Sequence, residues 1–396
     1  MSDPLAYLKE ELAALEEQGL RQHPRVLEGE QRARTRFDGR DVVNLASNNY
    51  LGLAAHPRLK EAASRAASEL GAGSGAVRTI AGTMSMHLEL ERRFAEFKGA
   101  ERALMFQAGF TANAGTVAAI LTNEDVIVSD ELNHASIIDG ARLSRAQIKV
   151  YPHKDVEAAA ALLAESTDAK RKLLITDGVF SMDGDIAPLP GLVEAAEKAG
   201  AIMMIDDAHA SGVLGATGRG TVEHFGLHAR PRGGVDIQVG TLSKAIGVLG
   251  GFIAGPDHLI EWLVNRGRPF LFSTSAPPAV VAACMAALDV LRDEPERLRR
   301  LWDRTRFFKS GLSDLGFDTG ISETPITPVI AGDETKAVEF SRGLWDEGVF
   351  TPAVVFPTVK RGKARVRTIV TADHSEDDLR AALTAFERVG GKLGMI

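Results

Sequence analysis

The chain has 396 residues, 45% hydrophobic and 25% charged, with a formal net charge of −7. That length suits one large domain with a smaller one, the composition suits a globular protein, and the acidic balance argues against nucleic acid as a global partner. One cysteine, Cys284, sits in an apolar run, which excludes an internal disulfide framework, favours a cytoplasmic location and makes Cys284 a small core hydrophobe.

Asp3-Pro4 opens a helix with Leu5, Leu8, Leu12 and Leu15 on one face, a pattern unlike a signal peptide. Residues 1–45 read as this helix and an arm that needs a surface to pack on, a neighbouring subunit being one option. No apolar run reaches the ~18 residues of a membrane span, so no membrane partner is expected. Residues 46–288 alternate short apolar runs with helical stretches such as Glu157–Glu165 and Leu192–Ala199. The strand candidates are Ala103–Phe106, Asp125–Val128, Gln147–Tyr151, Leu173–Thr176, Ile202–Ile205, Ile237–Gly240 and Gly251–Ala254. Strands alternating with helices predict an α/β fold with a mainly parallel sheet covered on both faces. The last two candidates are close enough in sequence to form an antiparallel pair.

After Pro277-Pro278 a helical stretch runs toward Leu312, with Glu294-Pro295 as a break. Residues 289–396 read as a smaller α+β domain with strands at Ile326–Ile330 and Val366–Val370. Its final helix is capped by Ser375 with Asp378 and buries Leu379, Leu383, Phe386 and Val389.

Ligands of open parallel sheets bind beyond the carboxyl ends of the strands, and several polar motifs fall there. Gln107-Ala108-Gly109-Phe110 leads into a helix and leaves backbone N–H groups for a phosphate, although a plain strand-to-helix turn would look the same. His134 is suited to stacking on a flat ring, to hydrogen-bonding a substrate, or to capping a loop. Ser181, in Val179-Phe180-Ser181-Met182-Asp183-Gly184-Asp185, is suited to a ring hydroxyl or to turn chemistry. Asp206-Asp207-Ala208-His209 offers a carboxylate for a pyridine nitrogen. It also resembles half of a metal site, but no second cluster with ligand spacing accompanies it. His224 and His228 have i,i+4 spacing, yet no Glu follows His224 as a zincin requires, so no metal is expected. Lys244 ends Thr241-Leu242-Ser243-Lys244 in a stretch, 235–255, whose only other charge is Asp236. An imine-forming lysine and an acid for a pyridinium are the two groups that a pyridoxal 5'-phosphate (PLP) enzyme needs. Gly71-Ala72-Gly73-Ser74-Gly75 follows a helix rather than a strand, so it fails the dinucleotide fingerprint and argues against a nicotinamide oxidoreductase.

These motifs, with Ser47-Asn48-Asn49-Tyr50-Leu51-Gly52-Leu53 and Lys363-Ala364-Arg365-Val366-Arg367, make nearly the whole chain similar to the α-oxoamine synthases. These are PLP-dependent transferases of fold type I, the aspartate-aminotransferase-like fold. The resemblance implies a seven-stranded large-domain sheet. It also implies that Lys244 holds the cofactor as an imine and later acts as base, that Asp206 pairs with the pyridinium, and that His209 and Ser181 meet the ring hydroxyl. His134 would stack on the ring. Gly109 and Phe110 would give backbone donors to the phosphate and Thr241 its hydroxyl, while Ser273 and Thr274 would reach the phosphate of the partner in a homodimer. Asn48 and Arg367 would hold the carboxylate of an amino acid, glycine or alanine. The second substrate would be an acyl-CoA, which Arg21 is placed to touch unless it is a surface residue. Gly75–Thr83, Pro269–Phe272 and Gly362–Arg367 look most similar to bacterial glycine C-acetyltransferases (2-amino-3-ketobutyrate CoA ligases). Condensation of glycine with acetyl-CoA is therefore the expected reaction. The alternative is 8-amino-7-oxononanoate synthesis from alanine and pimeloyl-CoA for biotin, or both activities in one enzyme.

Overall fold

A computed structural model describes residues 3–18, 20–21, 23–229 and 234–396. The N-terminal helix α1 (Tyr7–Glu17) buries none of its residues, and Leu5, Leu8, Leu12 and Leu15 are all exposed. Strands β1 (Arg34–Phe37) and β2 (Arg40–Asn44) form a hairpin. Its turn is Asp38-Gly39, both at positive φ (46° and 77°), as a two-residue turn that follows the strand twist requires.

The central sheet has seven strands: β3 (Arg102–Phe106), β4 (Val126–Asp130), β5 (Gln147–Tyr151), β6 (Lys172–Asp177), β7 (Ile202–Asp206), β8 (Ile237–Thr241) and β9 (Gly251–Gly255). Their order is β3-β9-β8-β7-β6-β4-β5. The pairs from β8 to β5 are parallel, whereas β9 runs antiparallel to both β8 and β3. The short 242–250 connection explains this, because a parallel return needs a crossover of a dozen or more residues. Strands β4, β6 and β7 feed both faces. Ile127, Leu173, Ile175, Met204 and Val239 pack on one side; Val126, Val128, Leu174, Met203 and Ile205 pack on the other. That is why these strands read as continuous apolar runs rather than as alternating ones.

Helices α2 (Gly109–Ile120) and α3 (Ala135–Ser144) follow β3 and β4. Pro277 and Pro278 start helix α4, and the expected break falls where Glu294-Pro295 separates α4 (Pro278–Asp293) from α5 (Glu296–Asp314). Strands β10 (Ile326–Gly332), β11 (Ala353–Val354) and β12 (Ala364–Ile369) form an antiparallel sheet in the order β10-β12-β11. In the last helix, α6 (Glu376–Lys392), the Ser375 hydroxyl accepts the Asp378 N–H at 3.0 Å and the Asp378 carboxylate accepts the Ser375 N–H at 3.1 Å. Leu379, Phe386 and Val389 are buried and Leu383 is partly buried. Phe386 meets Phe308, Phe317 and Phe340 edge to face.

Candidate active site

Three adjacent parallel strands, β4, β6 and β7, end in Asp130, Asp177 and Asp206, which are 3%, 6% and 4% exposed. Three buried carboxylates side by side cannot all stay charged without compensation. Each is handled differently. Asp130 faces His153 Nδ1 at 3.0 Å. Burial, then the neighbouring Asp206, pushes the pKa of Asp177 well up, and its carboxyl accepts the backbone N–H of His134 at 2.7 Å. Asp206 accepts Asn113 Nδ2 at 2.5 Å and the Ala208 N–H at 2.9 Å, and no cation is ion-paired with it among the described residues. Asn113 comes from helix α2 (Gly109–Ile120).

Lys244 lies in the turn after β8, where its carbonyl accepts the Gly247 N–H at 2.9 Å. Its Nζ makes no hydrogen bond among the described residues, and its charge feels Asp206, Asp177 and Arg367. Burial lowers its pKa to about 8, against the pull of the two carboxyls and with help from Arg367. An amine so placed is available as nucleophile and as base near neutral pH.

Two histidines share this environment. His134 caps helix α3 (Ala135–Ser144), accepting the Ser136 N–H on Nδ1 at 3.2 Å, and Ser136 Oγ lies 2.7 Å from the same atom. Desolvation lowers its pKa, while Asp206 pulls it up and Lys244 pushes it down. His209 is buried beside Tyr50, whose hydroxyl is 2.7 Å from Nδ1. Burial, with Lys244 and Arg367 adding repulsion, drives the His209 pKa well below the ordinary value, so the ring is neutral. Burial also raises the pKa of Tyr50, so its hydroxyl keeps its proton beside His209. Where Tyr50 donates to Nδ1, the proton of the neutral ring sits on Nε2, the nitrogen left to donate elsewhere.

Gly109 and Phe110 open α2, so their N–H groups have no acceptor within the helix. The approach is close: a Cβ on Gly109 would lie 3.2 Å from the Thr241 side chain, and one on Gly251 would lie 2.5 Å from the Gly109 nitrogen. Thr274, which follows Ser273, borders this turn through its backbone, since its carbonyl accepts Gln107 Nε2 at 3.0 Å. Arg367, on β12, donates to the Ser181 carbonyl at 3.0 Å, and its Nε is buried without a partner. Asn48 Oδ1 is likewise buried without a partner. Arg21 is not brought to this cluster; it is 42% exposed and pairs with Glu16 at 3.3 Å.

Tyr50, Asn113 and Asp177 belong to the cluster although the motifs gave them no role. Asn113 carried a signal, lying one helical turn beyond Gly109 on the helix that follows the phosphate-type turn. The polarity of Asp177 was indistinguishable from turn chemistry. Among the described residues no group of three or more His, Cys, Asp or Glu could hold a metal, and no helix is long and apolar enough to cross a membrane.

The set fits PLP: a desolvated amine, a buried carboxyl with no ion-paired cation among the described residues for a pyridinium, a neutral imidazole, and free N–H groups at a helix start. Residues 40–386 match the family model described as aminotransferase class I and II. The structure superposes on the serine palmitoyltransferase of S. paucimobilis with a bound PLP–myriocin aldimine, with a TM-score of 0.93, 30% identity and 100% of both chains covered. The 8-amino-7-oxononanoate synthase of Symbiobacterium thermophilum is 59% identical over 98% of this chain and 99% of its own length. The chain belongs to the α-oxoamine synthase family. The 8-amino-7-oxononanoate synthase 1 of Bacillus subtilis is 53% identical over 100% of both chains.

This α-oxoamine synthase is thus a PLP-dependent acyltransferase of fold type I. The expectation of a glycine C-acetyltransferase is overturned, because relatives at 53–59% identity along the full chain carry the oxononanoate synthase name. The physical reason lies in what the guiding segment does. Within Gly75–Thr83, Arg78 is buried and forks onto Glu91 at 2.8 and 2.9 Å. A Cβ on Gly82 would lie 2.1 Å from the Ala76 carbonyl oxygen. Packing demands of this kind hold for any acyl donor, so that segment does not report on the substrate.

Proposed function

We propose that the protein is an 8-amino-7-oxononanoate synthase, condensing L-alanine with a pimeloyl thioester and releasing the thiol and CO2. The observation that carries the choice of substrates is full-length identity of up to 59% to enzymes of that name; the site's chemistry supports the reaction class.

When bound, PLP supplies an electron sink for charge that develops at the alanine Cα. Lys244, with its pKa near 8, takes the proton from Cα. Asp206 stabilises a protonated pyridine nitrogen. His209 and Ser181 would hold the ring oxygen, and His134 would lie against the ring. Gly109, Phe110 and Thr241 bind the phosphate. Arg367, with its unpartnered Nε, and Asn48 hold the alanine carboxylate. In the balanced reaction the Cα–H bond is lost and Cα bonds to the thioester carbonyl carbon. The thiol departs, the Cα–carboxylate bond breaks to give CO2, and a proton returns to Cα. We further propose a homodimer in which Ser273 and Thr274 reach the partner's phosphate; Ile80 and Phe272, 84% and 70% exposed, supply apolar surface for it.

The test supplies alanine and pimeloyl-CoA and follows free thiol and CO2 together. Equal release of both supports the reading. Thiol release without CO2, or no turnover of alanine, overturns it.

A further inference from the structure

His153 lies outside the cluster described above, in the loop after β5. Its Nδ1 is 3.0 Å from Asp130 Oδ1 and its Nε2 is 2.9 Å from Asp185 Oδ2. Both carboxylate side chains are buried, at 1% and 0% exposure. An imidazole can satisfy a carboxylate at each nitrogen only when both carry protons. The ring edge also packs on Phe180, with centroids 4.3 Å apart at 90°.

The two carboxylates belong to different functional loops. Asp130 ends β4 and organises the residues leading to His134: its Oδ1 accepts the Leu132 N–H at 2.9 Å and its carbonyl the Asn133 N–H at 3.2 Å. Asp185 closes the turn that carries Ser181, where its carbonyl accepts the Phe180 N–H at 3.1 Å and the Phe180 carbonyl accepts the Gly184 N–H at 2.8 Å. One charged ring therefore bridges the loop of His134 and the turn of Ser181. The other charged groups around it are Lys154 of its own loop, 3.1 Å from Asp185 and 3.6 Å from Glu323, and Glu131, which faces the His153 N–H at 3.4 Å and pairs with Lys360 at 3.0 Å.

We propose that His153 is a positioning residue of the cofactor site: as an imidazolium between Asp130 and Asp185, it locks the His134 loop to the Ser181 turn so that both keep their places against PLP. This rests on the reading of His134 and Ser181 as cofactor contacts. Burial alone would lower the pKa of His153, but the hydrogen-bonded carboxylates override it and raise it to about 9. The lock is therefore closed throughout the neutral range and opens as pH rises through about 9.

The experiment uses the full chain. PLP affinity by fluorescence titration, the absorption band of the lysine-bound cofactor and thermal stability are measured for the unaltered protein, His153→Ala and His153→Gln. Both variants should bind PLP about tenfold to a hundredfold more weakly, as when the outer partners of ligating residues are removed, with a displaced absorption band. Added imidazole should restore affinity to His153→Ala, and more fully at pH 6 than at pH 9. His153→Gln guards against misfolding, since it keeps the side-chain bulk and one donor group. In the cofactor-free protein, nitrogen NMR should show His153 with both ring nitrogens protonated at pH 7. Unchanged PLP affinity and spectrum in both variants overturn the proposal, even if the melting temperature falls, and so does a singly protonated His153 at pH 7. If the unaltered protein shows no borohydride-sensitive PLP band, the cofactor reading itself fails, and that is seen before His153 is touched.

Discussion

Replacing Lys98 by alanine should destabilise the protein by about 4 kcal/mol, and the reason lies beneath the strand end that carries Asp206. Lys98 and Asp207 form an ion pair at 2.7 Å with both side chains at 0% exposure. The ammonium also donates to the Arg219 carbonyl at 2.5 Å and to Ser211 Oγ at 3.3 Å, so its donors are all used. Asp207 takes the Thr221 N–H at 3.1 Å and the Thr221 hydroxyl at 2.6 Å. Without Lys98 the Asp207 carboxylate keeps those two bonds but has no counter-charge, and the Arg219 carbonyl loses its donor. Removing one member of a buried pair costs roughly 3–5 kcal/mol, a large share of the ~5–15 kcal/mol of a typical domain. Urea unfolding of the cofactor-free protein, followed by circular dichroism and tryptophan fluorescence, measures the loss. The double variant Lys98→Met, Asp207→Asn should recover at least half of it, since neither charge is then stranded. A loss below about 1 kcal/mol for Lys98→Ala would refute the reasoning, because that is the worth of an exposed pair.

Arg367→Lys should raise the KM for alanine about tenfold or more while leaving that for the acyl thioester unchanged, because an ammonium cannot reproduce a forked carboxylate contact; a change confined to the thioester contradicts the assignment. Gly251→Ala should weaken PLP binding about tenfold, corresponding to the ~1–3 kcal/mol of overpacking, because its Cβ would lie 2.5 Å from the Ala108 carbonyl carbon and the Gly109 nitrogen. Normal PLP affinity in that variant would show that the turn is not rigid. The rate of PLP attachment to the cofactor-free protein should rise about tenfold per pH unit below about 8 and flatten above it, as the neutral amine of Lys244 fills. The linked effect on stability has a definite sign. Because the folded pKa is depressed from 10.5 to about 8, the penalty of a charged Lys244 is present in full below 8 and is relieved as pH rises toward 10.5. An inflection near 10.5 in the attachment rate would show that the amine is not desolvated.

Much of the fold could be read from local signals that tertiary contacts then reinforced. The apolar runs of β4, β6 and β7 are buried on both faces and so admit no other reading. The Ser375 cap and the Glu294-Pro295 break are set by backbone chemistry alone. The second antiparallel partner of β9 was not legible, because β3 lies far away in sequence and only the finished sheet places it beside Gly251–Gly255. At the site, Lys244 stood out because its surroundings lack charge, and Asp206 because of its company at a strand end. Tyr50 and Asp177 were hidden, since their importance is pairwise: Tyr50 hydrogen-bonds His209 Nδ1, and Asp177 matters because Asp206 is its register partner. The acyl donor is not legible in the segment around Arg78, because that segment answers to packing rather than to substrate.

The account turns on Lys244 as the single point of covalent attachment. Borohydride reduction of the PLP-loaded protein, followed by proteolysis and mass spectrometry, tests this directly. The account predicts one pyridoxyl label, on the peptide containing Lys244, and none in Lys244→Ala. A label on another lysine, or the same label in Lys244→Ala, would contradict it.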